Sequence, residues 1–372
     1  RILKFKVKIF INNPIDDNFV FEGHTISRLS YENFLKKKTS LVDYFKGGYS
    51  HSSIFSKLQN PNYLNRLYLE RDKDYFQFLN TFYEKYKDYD IIVMNPGVDL
   101  VHPEYLYKNF KNSLKIIHCI DDPHQTYSYI LPYSWVFDAA TYISPSYSSE
   151  FSMSEFLKLV GFKSNLWVPH ATSNTHTPKW KKEELISQLK KREKKAVYFG
   201  NFYKNKIDRL FQLKKILKNN FEIYGKFPLK GFSFFSYSLI KRNPIICFPQ
   251  FVTNEQKYKI YQKSAVGINM HLSDPSIETG NLRTYELAYN GVAQVVDTSK
   301  SSLIKKIFEP DKEILTYESI EECIFQTKKL LQDDDLRYKI ALAAYERSIK
   351  EYSYSKILSK QIKWFKTLLH QL

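Results

Sequence analysis

Four short stretches combine titratable, amide and glycine residues in patterns that suit chemistry on a phosphorylated or hydroxylated ligand. The first is His118-Cys119-Ile120-Asp121-Asp122-Pro123-His124, two carboxylates and two imidazoles at the end of an apolar run. Such a cluster supplies proton donors and acceptors to a site. The same residues also suit a turn at Asp122-Pro123 with Asp121 as a cap, and spacing leaves both readings open. The second, Trp167-Val168-Pro169-His170-Ala171-Thr172, ends another apolar run in a lone histidine, which is either a cleft residue or a structural one. In the third, Phe199-Gly200-Asn201 is followed by Lys204, Lys206 and Arg209. Glycine allows close backbone approach, and cations beside a helix start suit a diphosphate. A solvated basic face has the same spacing.

The fourth stretch is the most specific: Glu278-Thr279-Gly280-Asn281-Leu282-Arg283-Thr284-Tyr285-Glu286 sets two glutamates on either side of a loop-to-helix junction. Asn281 reads as the N-cap. The helix start then favours an anion, and Glu286, one turn inside, can accept both hydroxyls of a ribose. Arg283 can pair with Glu286 or with a phosphate, and Glu278 falls in the loop facing a substrate. Two surface glutamates with an i,i+3 ion pair remain the alternative.

These stretches need a scaffold that brings strand ends together. Short apolar runs ending in Gly, Pro, Asn or Asp alternate with helical segments, the pattern of parallel strands joined by crossover helices. Strands are expected at 2–11, 90–94, 115–120, 140–143 and 165–168, with helical sequence from 28 to 89. A second series is expected at 196–199, 221–224, 245–248, 266–270, 292–296 and 313–316, with helices at 206–218, 255–263 and 282–290. Between them, 172–195 is polar and charged, the composition of a solvated linker ending in a helix. The expected fold class is α/β, two Rossmann-like doubly wound domains. Ligands of such sheets bind beyond the carboxyl ends of the strands. The last helices, 319–331, 336–350 and 355–369, end in an amphipathic segment. Its Leu358, Ile362, Phe365 and Leu369 lie on one face, suited to a membrane surface or to packing back on a domain.

With 372 residues, 43% hydrophobic and 16% aromatic, the chain is long enough for two cores and too apolar for wholesale disorder. Its net charge of +17 attracts phosphates, nucleic acid or anionic lipid headgroups without choosing among them. Cys119, Cys247 and Cys323 are too few and too scattered for a disulfide framework or a zinc knuckle, so no metal site is expected and a reducing compartment fits. No run approaches the length of a membrane span, and Arg1-Ile2-Leu3-Lys4-Phe5-Lys6 alternates charge with apolar groups, unlike a signal peptide. The expected location is the cytoplasm, with peripheral contact at the inner membrane face left open.

The ensemble resembles the GT-B glycosyltransferases, and more closely the CgeB-like family of spore-maturation and related bacterial transferases. The resemblance rests on Cys119 to Pro123, Trp167 to Ala171, Phe199-Gly200-Asn201 with Arg209, Tyr224-Gly225, Asn281 to Gly291 and Ile307 to Ile314. It implies an acceptor-binding domain over 1–175, a nucleotide-sugar domain over 190–350 and a terminal helix, 351–372, packing back on the first. It further implies retention of configuration without a metal. The candidate catalytic residues are Glu278, His118, Asp121, Asp122 and His170. The donor-binding candidates are Gly200, Asn201, Lys206, Arg209, Tyr224, Gly225, Asn281, Arg283 and Glu286. No cofactor is expected; a UDP- or GDP-sugar is the expected substrate, with a glycan, lipid-linked or protein acceptor recognised near Gly23-His24 and 47–51. A nucleic-acid acceptor, or a non-enzymatic protein that binds nucleic acid or a membrane surface, stands as the alternative.

Overall fold

A computed structural model describes residues 7–8, 18–21, 24–27, 61–94, 101–119, 130–148, 150–172, 179–200, 204–225, 252–271, 281–298 and 304–371. The chain divides into two units, Arg1–Val168 with Gln361–Leu372, and Pro169–Lys360.

The first unit contains β1 (Val7–Lys8), β2 (Asn18–Phe21), β3 (His24–Ser27), α1 (Pro61–Leu69), α2 (Lys73–Tyr86) and β4 (Ile91–Met94). After these come α3 (Pro103–Asn109), β5 (Leu114–Cys119), β6 (Ala139–Tyr142), α4 (Met153–Leu159) and β7 (Asn165–Trp167). The strand order is β2-β3-β1-β4-β5-β6-β7. Every neighbouring pair is parallel except β2 with β3. β4 and β5 are buried along their whole length, as strands covered on both faces must be. In α2, Tyr75, Phe78, Leu79, Phe82 and Tyr86 form one buried stripe at helical spacing, and Asp72 caps the helix by accepting from the Tyr75 amide at 2.9 Å. The hairpin of β2 and β3 is absent from the sequence expectation. Its strands are four residues each, too short for an alternation pattern to register.

The second unit holds α5 (Lys182–Lys190), β8 (Glu193–Phe199), α6 (Lys204–Leu217), β9 (Phe221–Tyr224), α7 (Asn254–Lys263), β10 (Ser264–Asn269) and α8 (Leu282–Tyr289). Then follow β11 (Ala293–Asp297), α9 (Ile304–Ile307), β12 (Leu315–Tyr317), α10 (Ile320–Gln332) and α11 (Asp334–Arg347). The last helix, α12 (Tyr354–Leu369), begins in this unit, and its residues from Gln361 belong to the first. All strand pairs are parallel in the order β12-β11-β10-β8-β9. Counted within the unit this is the 2-1-3-4-5 doubly wound order, whose direction reverses between β8 and β10. Ligands of such sheets enter the crevice at that reversal.

Two expectations change here. The charged run from Lys190 to Lys195 is not a solvated linker: Lys190 ends α5, which Leu185 and Leu189 anchor by burial, and Glu193 opens β8. Between them Arg192 is buried and donates to the Asn290 and Gly291 carbonyls at 2.6 Å each, closing the end of α8. The apolar stripe of α12 is covered as well, with Leu358, Ile362 and Phe365 buried and so withdrawn from any membrane surface. Among the described residues, no helix is long and apolar enough to cross a membrane. The strand expected at 245–248 lies outside the described residues.

Candidate functional site

The reversal between β8 and β10 gathers the polar side chains of the second unit. β8 ends at Phe199-Gly200, and a Cβ added at Gly200 would lie 2.5 Å from the Arg283 guanidinium and 2.5 Å from the Tyr198 hydroxyl. Glycine leaves the room through which Arg283, from the first turn of α8, reaches across to the Phe199 carbonyl at 2.5 Å. Its guanidinium also stands over the Tyr198 ring at 5.7 Å.

The start of α8 is fastened to the end of β10. Asn281 caps the helix, accepting from the Arg283 amide at 3.1 Å, and donates to Asn269 Oδ1 at 2.8 Å. Asn269 in turn donates to the Thr284 hydroxyl at 2.7 Å. Asn269 and Thr284 are fully buried, so this chain of bonds fixes where the helix start sits against the strand.

Beside it, Lys206 of α6 is buried and donates from Nζ to the Met270 carbonyl at 2.8 Å. Burial, then the neighbouring Arg283 and Arg209 charges, pull its pKa down to about 7 against the opposing pull of Asp297. The amine therefore changes charge near neutrality. Asp297 closes β11 and takes Arg209 Nη1 at 3.2 Å, while burial raises its pKa and Arg209 opposes that rise. His271, just past β10, places Nδ1 3.0 Å from the Asp297 carbonyl. A carbonyl only accepts, so Nδ1 carries the proton. Burial and the Lys206 and Arg283 charges hold its pKa at about 3, so the ring is neutral.

Glu286, in the second turn of α8, is turned toward α7. Its Oε1 accepts from Lys257 Nζ at 2.6 Å and the Tyr258 hydroxyl at 3.2 Å, and its Oε2 from the Tyr261 hydroxyl at 3.4 Å. Arg283 and Glu286 therefore do not pair with each other, contrary to one of the options their spacing allowed. Helical geometry puts both on α8, but each finds a partner on another element.

The structure brings Gly200, Lys206, Arg209, Asn281 and Arg283 to one end of the second sheet. Tyr224 stacks on Phe199 at 4.9 Å and spends its hydroxyl on Glu222 at 2.7 Å, with Gly225 following in a positive-φ conformation. His170 is half-buried, stands edge-on to Tyr285 of α8 at 5.7 Å, and burial lowers its pKa to about 4. His118 belongs to the first unit, where it is buried inside β5 and shares a 2.7 Å hydrogen bond with the Thr141 hydroxyl, its cross-strand partner on β6. Asp121, Asp122, Asn201 and Glu278 lie outside the described residues, as do Gly23 and 47–51.

Sequence reasoning passed over Asn269, His271, Lys257 and Asp297. Asn269 and Asp297 sit in or end apolar strands, and His271 follows a strand end by two residues; the rule that singled out the other strand ends reaches these too. Lys257 carries no such mark, because its position on α7 is one lysine among several.

Residues 182–362 match a family described as glycosyl transferase-like. No curated protein matches the chain. Among solved structures, sucrose-phosphate synthase from Thermosynechococcus elongatus superposes with a TM-score of 0.60 at 13% identity, covering 99% of this chain and 89% of that one. Anabaena HepE in complex with UDP and glucose gives a TM-score of 0.55 at 11% identity over 78% of this chain and 82% of that one. An alpha-glucosyltransferase in complex with UDP-glucose and DNA containing an abasic site gives 0.54 at 13% identity over 77% and 83%. This chain has the two-domain GT-B fold, and its residues 182–362 are similar to the glycosyl transferase-like family.

Proposed function

We infer that this protein is a glycosyltransferase that moves a sugar from a nucleotide-sugar donor to an acceptor, with the donor held at the β8–β10 end of the second unit. The observation that carries the reading is the convergence of Lys206, Arg283 and the start of α8 on that end. Breaking a sugar–phosphate bond develops negative charge on the departing diphosphate. A buried lysine, a guanidinium and a helix N-terminus stabilise such charge where it appears. Lys206 is suited to this because an incoming diphosphate favours its charged form. Arg209 supplies a further cation from the exposed side of Asp297. Glu286 is the group for the ribose hydroxyls.

Support for UDP as the nucleotide comes from the HepE and alpha-glucosyltransferase structures, which hold UDP or UDP-glucose. Retention of configuration is what the resemblance of the Glu278 and Glu286 pair to the pattern of retaining GT-B transferases implies. Metal-free chemistry is the part of the reading that Lys206 and the arginines would carry. The acceptor class is a glycan, lipid-linked or protein group. A DNA acceptor gains some weight from the DNA bound to the alpha-glucosyltransferase and from the charge of +17.

A thermal-shift screen against UDP, GDP, CMP, dTDP and their sugars tests the reading. A ligand at a hundred times its Kd stabilises by about 2.7 kcal/mol. One nucleotide giving a clear shift supports a donor site and names the base; a folded protein that responds to none overturns it.

A further inference from the structure

The Glu286 carboxylate is already occupied. A carboxylate offers about four lone-pair positions, two on each oxygen. Oε1 meets two donors, Lys257 Nζ at 2.6 Å and the Tyr258 hydroxyl at 3.2 Å, which fill it. Oε2 meets the Tyr261 hydroxyl at 3.4 Å and keeps one position. A ribose diol brings two O–H donors and needs two positions, so one present donor must leave.

Burial decides which one. Glu286 is 2% exposed, and Tyr258 and Tyr261 are closed in with it. The Lys257 side chain keeps 17% of its surface and is the member of the cluster that faces solvent. Its ammonium is also 5.0 Å from the centre of the Tyr258 ring, a second favourable resting place once it has left the carboxylate. Tyr258 and Tyr261 have no comparable exit from the core.

We propose that Lys257 sets the nucleotide affinity of this site: it competes with a ribose diol for Glu286 Oε1 and moves off the carboxylate when a nucleotide binds. This rests on Glu286 being the ribose group of the proposed donor site. Lys257 is thus a positioning residue whose removal strengthens binding, since the carboxylate it leaves behind lacks a donor that the diol then supplies. Its neighbours on α7, Tyr258 and Tyr261, continue to hold Glu286 in place.

The test is calorimetric titration of UDP and GDP, and of the 2′-deoxy analogue of whichever binds, into the wild-type protein, Lys257→Met and Lys257→Gln. The expected result is about a fivefold to tenfold gain in affinity for Lys257→Met and a smaller gain for Lys257→Gln, which keeps a neutral donor. The gain must shrink toward unity with the 2′-deoxy nucleotide. Unchanged or weaker binding by folded variants overturns the proposal, and so does a gain of equal size with the 2′-deoxy analogue. If wild-type protein binds no nucleotide, the donor reading itself has failed; if it binds one and the variants gain nothing, only the role of Lys257 has.

Discussion

Both sheets bury polar side chains, and they put them to different uses. In the first unit two of them are spent on the sheet and the turn that leads into it: His118 bonds to Thr141 across the β5–β6 pair, and Lys115 donates to the Phe110 and Ser113 carbonyls just before β5. In the second unit the buried lysine belongs to a helix, and it reaches over to the carbonyl that follows β10. Asn269, Thr284, His271 and Asp297 surround that point. A buried polar group bonded along a ladder closes the structure. One set at a strand end, among others of like charge, stores a demand for an anion. The second unit is where chemistry is expected.

The largest effect belongs to Lys206→Met. Removing a charge-stabilising donor of this kind costs about 10²- to 10³-fold in turnover, so kcat/KM for sugar transfer should fall by that order while the melting profile stays cooperative. A variant with full activity would erase the contrast between the two sheets. Next comes pH. Burial and the neighbouring arginines bring the Lys206 pKa down to about 7, so under the proposed role, in which the charged amine meets a diphosphate, binding takes up a proton. Affinity for UDP is then full below pH 7 and falls by up to about tenfold per unit as pH rises above it, until the raised pKa of the complex is reached. Titrations between pH 6.5 and 9 read this directly, and Lys206→Arg, with its fixed charge, should flatten the profile.

Glu286→Gln follows, with about a tenfold rise in donor KM, the cost of replacing one charge-assisted acceptor. An unaltered KM would refute the ribose assignment. Arg209→Ala should weaken donor binding and turnover together by only a few-fold. Its side chain is 46% exposed and already shared with Asp297, so solvent screens what it offers a phosphate. Unchanged kinetics would remove Arg209 from the site.

The α/β class and most strands were legible because buried parallel strands read as continuous apolar runs; Ile91 to Met94 is an example. The β8–β10 end of the second sheet was legible in part. Gly200, Asn281 and Arg283 announced a loop-to-helix junction, and the structure supplies the reason for the glycine in the close approach of Arg283. The partner of Glu286 was not legible. Lys257 is 29 residues away in sequence, and only the packing of α7 on α8 makes the pair. Arg192 misled for the same reason: a charged run looks solvated until a long-range bond takes one member inside.

His118 gives the smallest expected effect on activity and the sharpest control. It was a catalytic candidate by clustering, yet its Nδ1 is engaged by Thr141 inside a fully buried strand. His118→Ala should therefore act on stability. Leaving the Thr141 hydroxyl short of one buried partner costs about 1–3 kcal/mol, and a domain of this size loses roughly 2–4 °C of Tm per kcal/mol. UDP affinity at 25 °C should be unchanged. The two readouts separate the roles because a side chain that only closes a sheet moves Tm alone, whereas one that touches substrate moves affinity or turnover first. A fall in kcat with Tm intact would return His118 to the chemistry and give the first sheet a share in it.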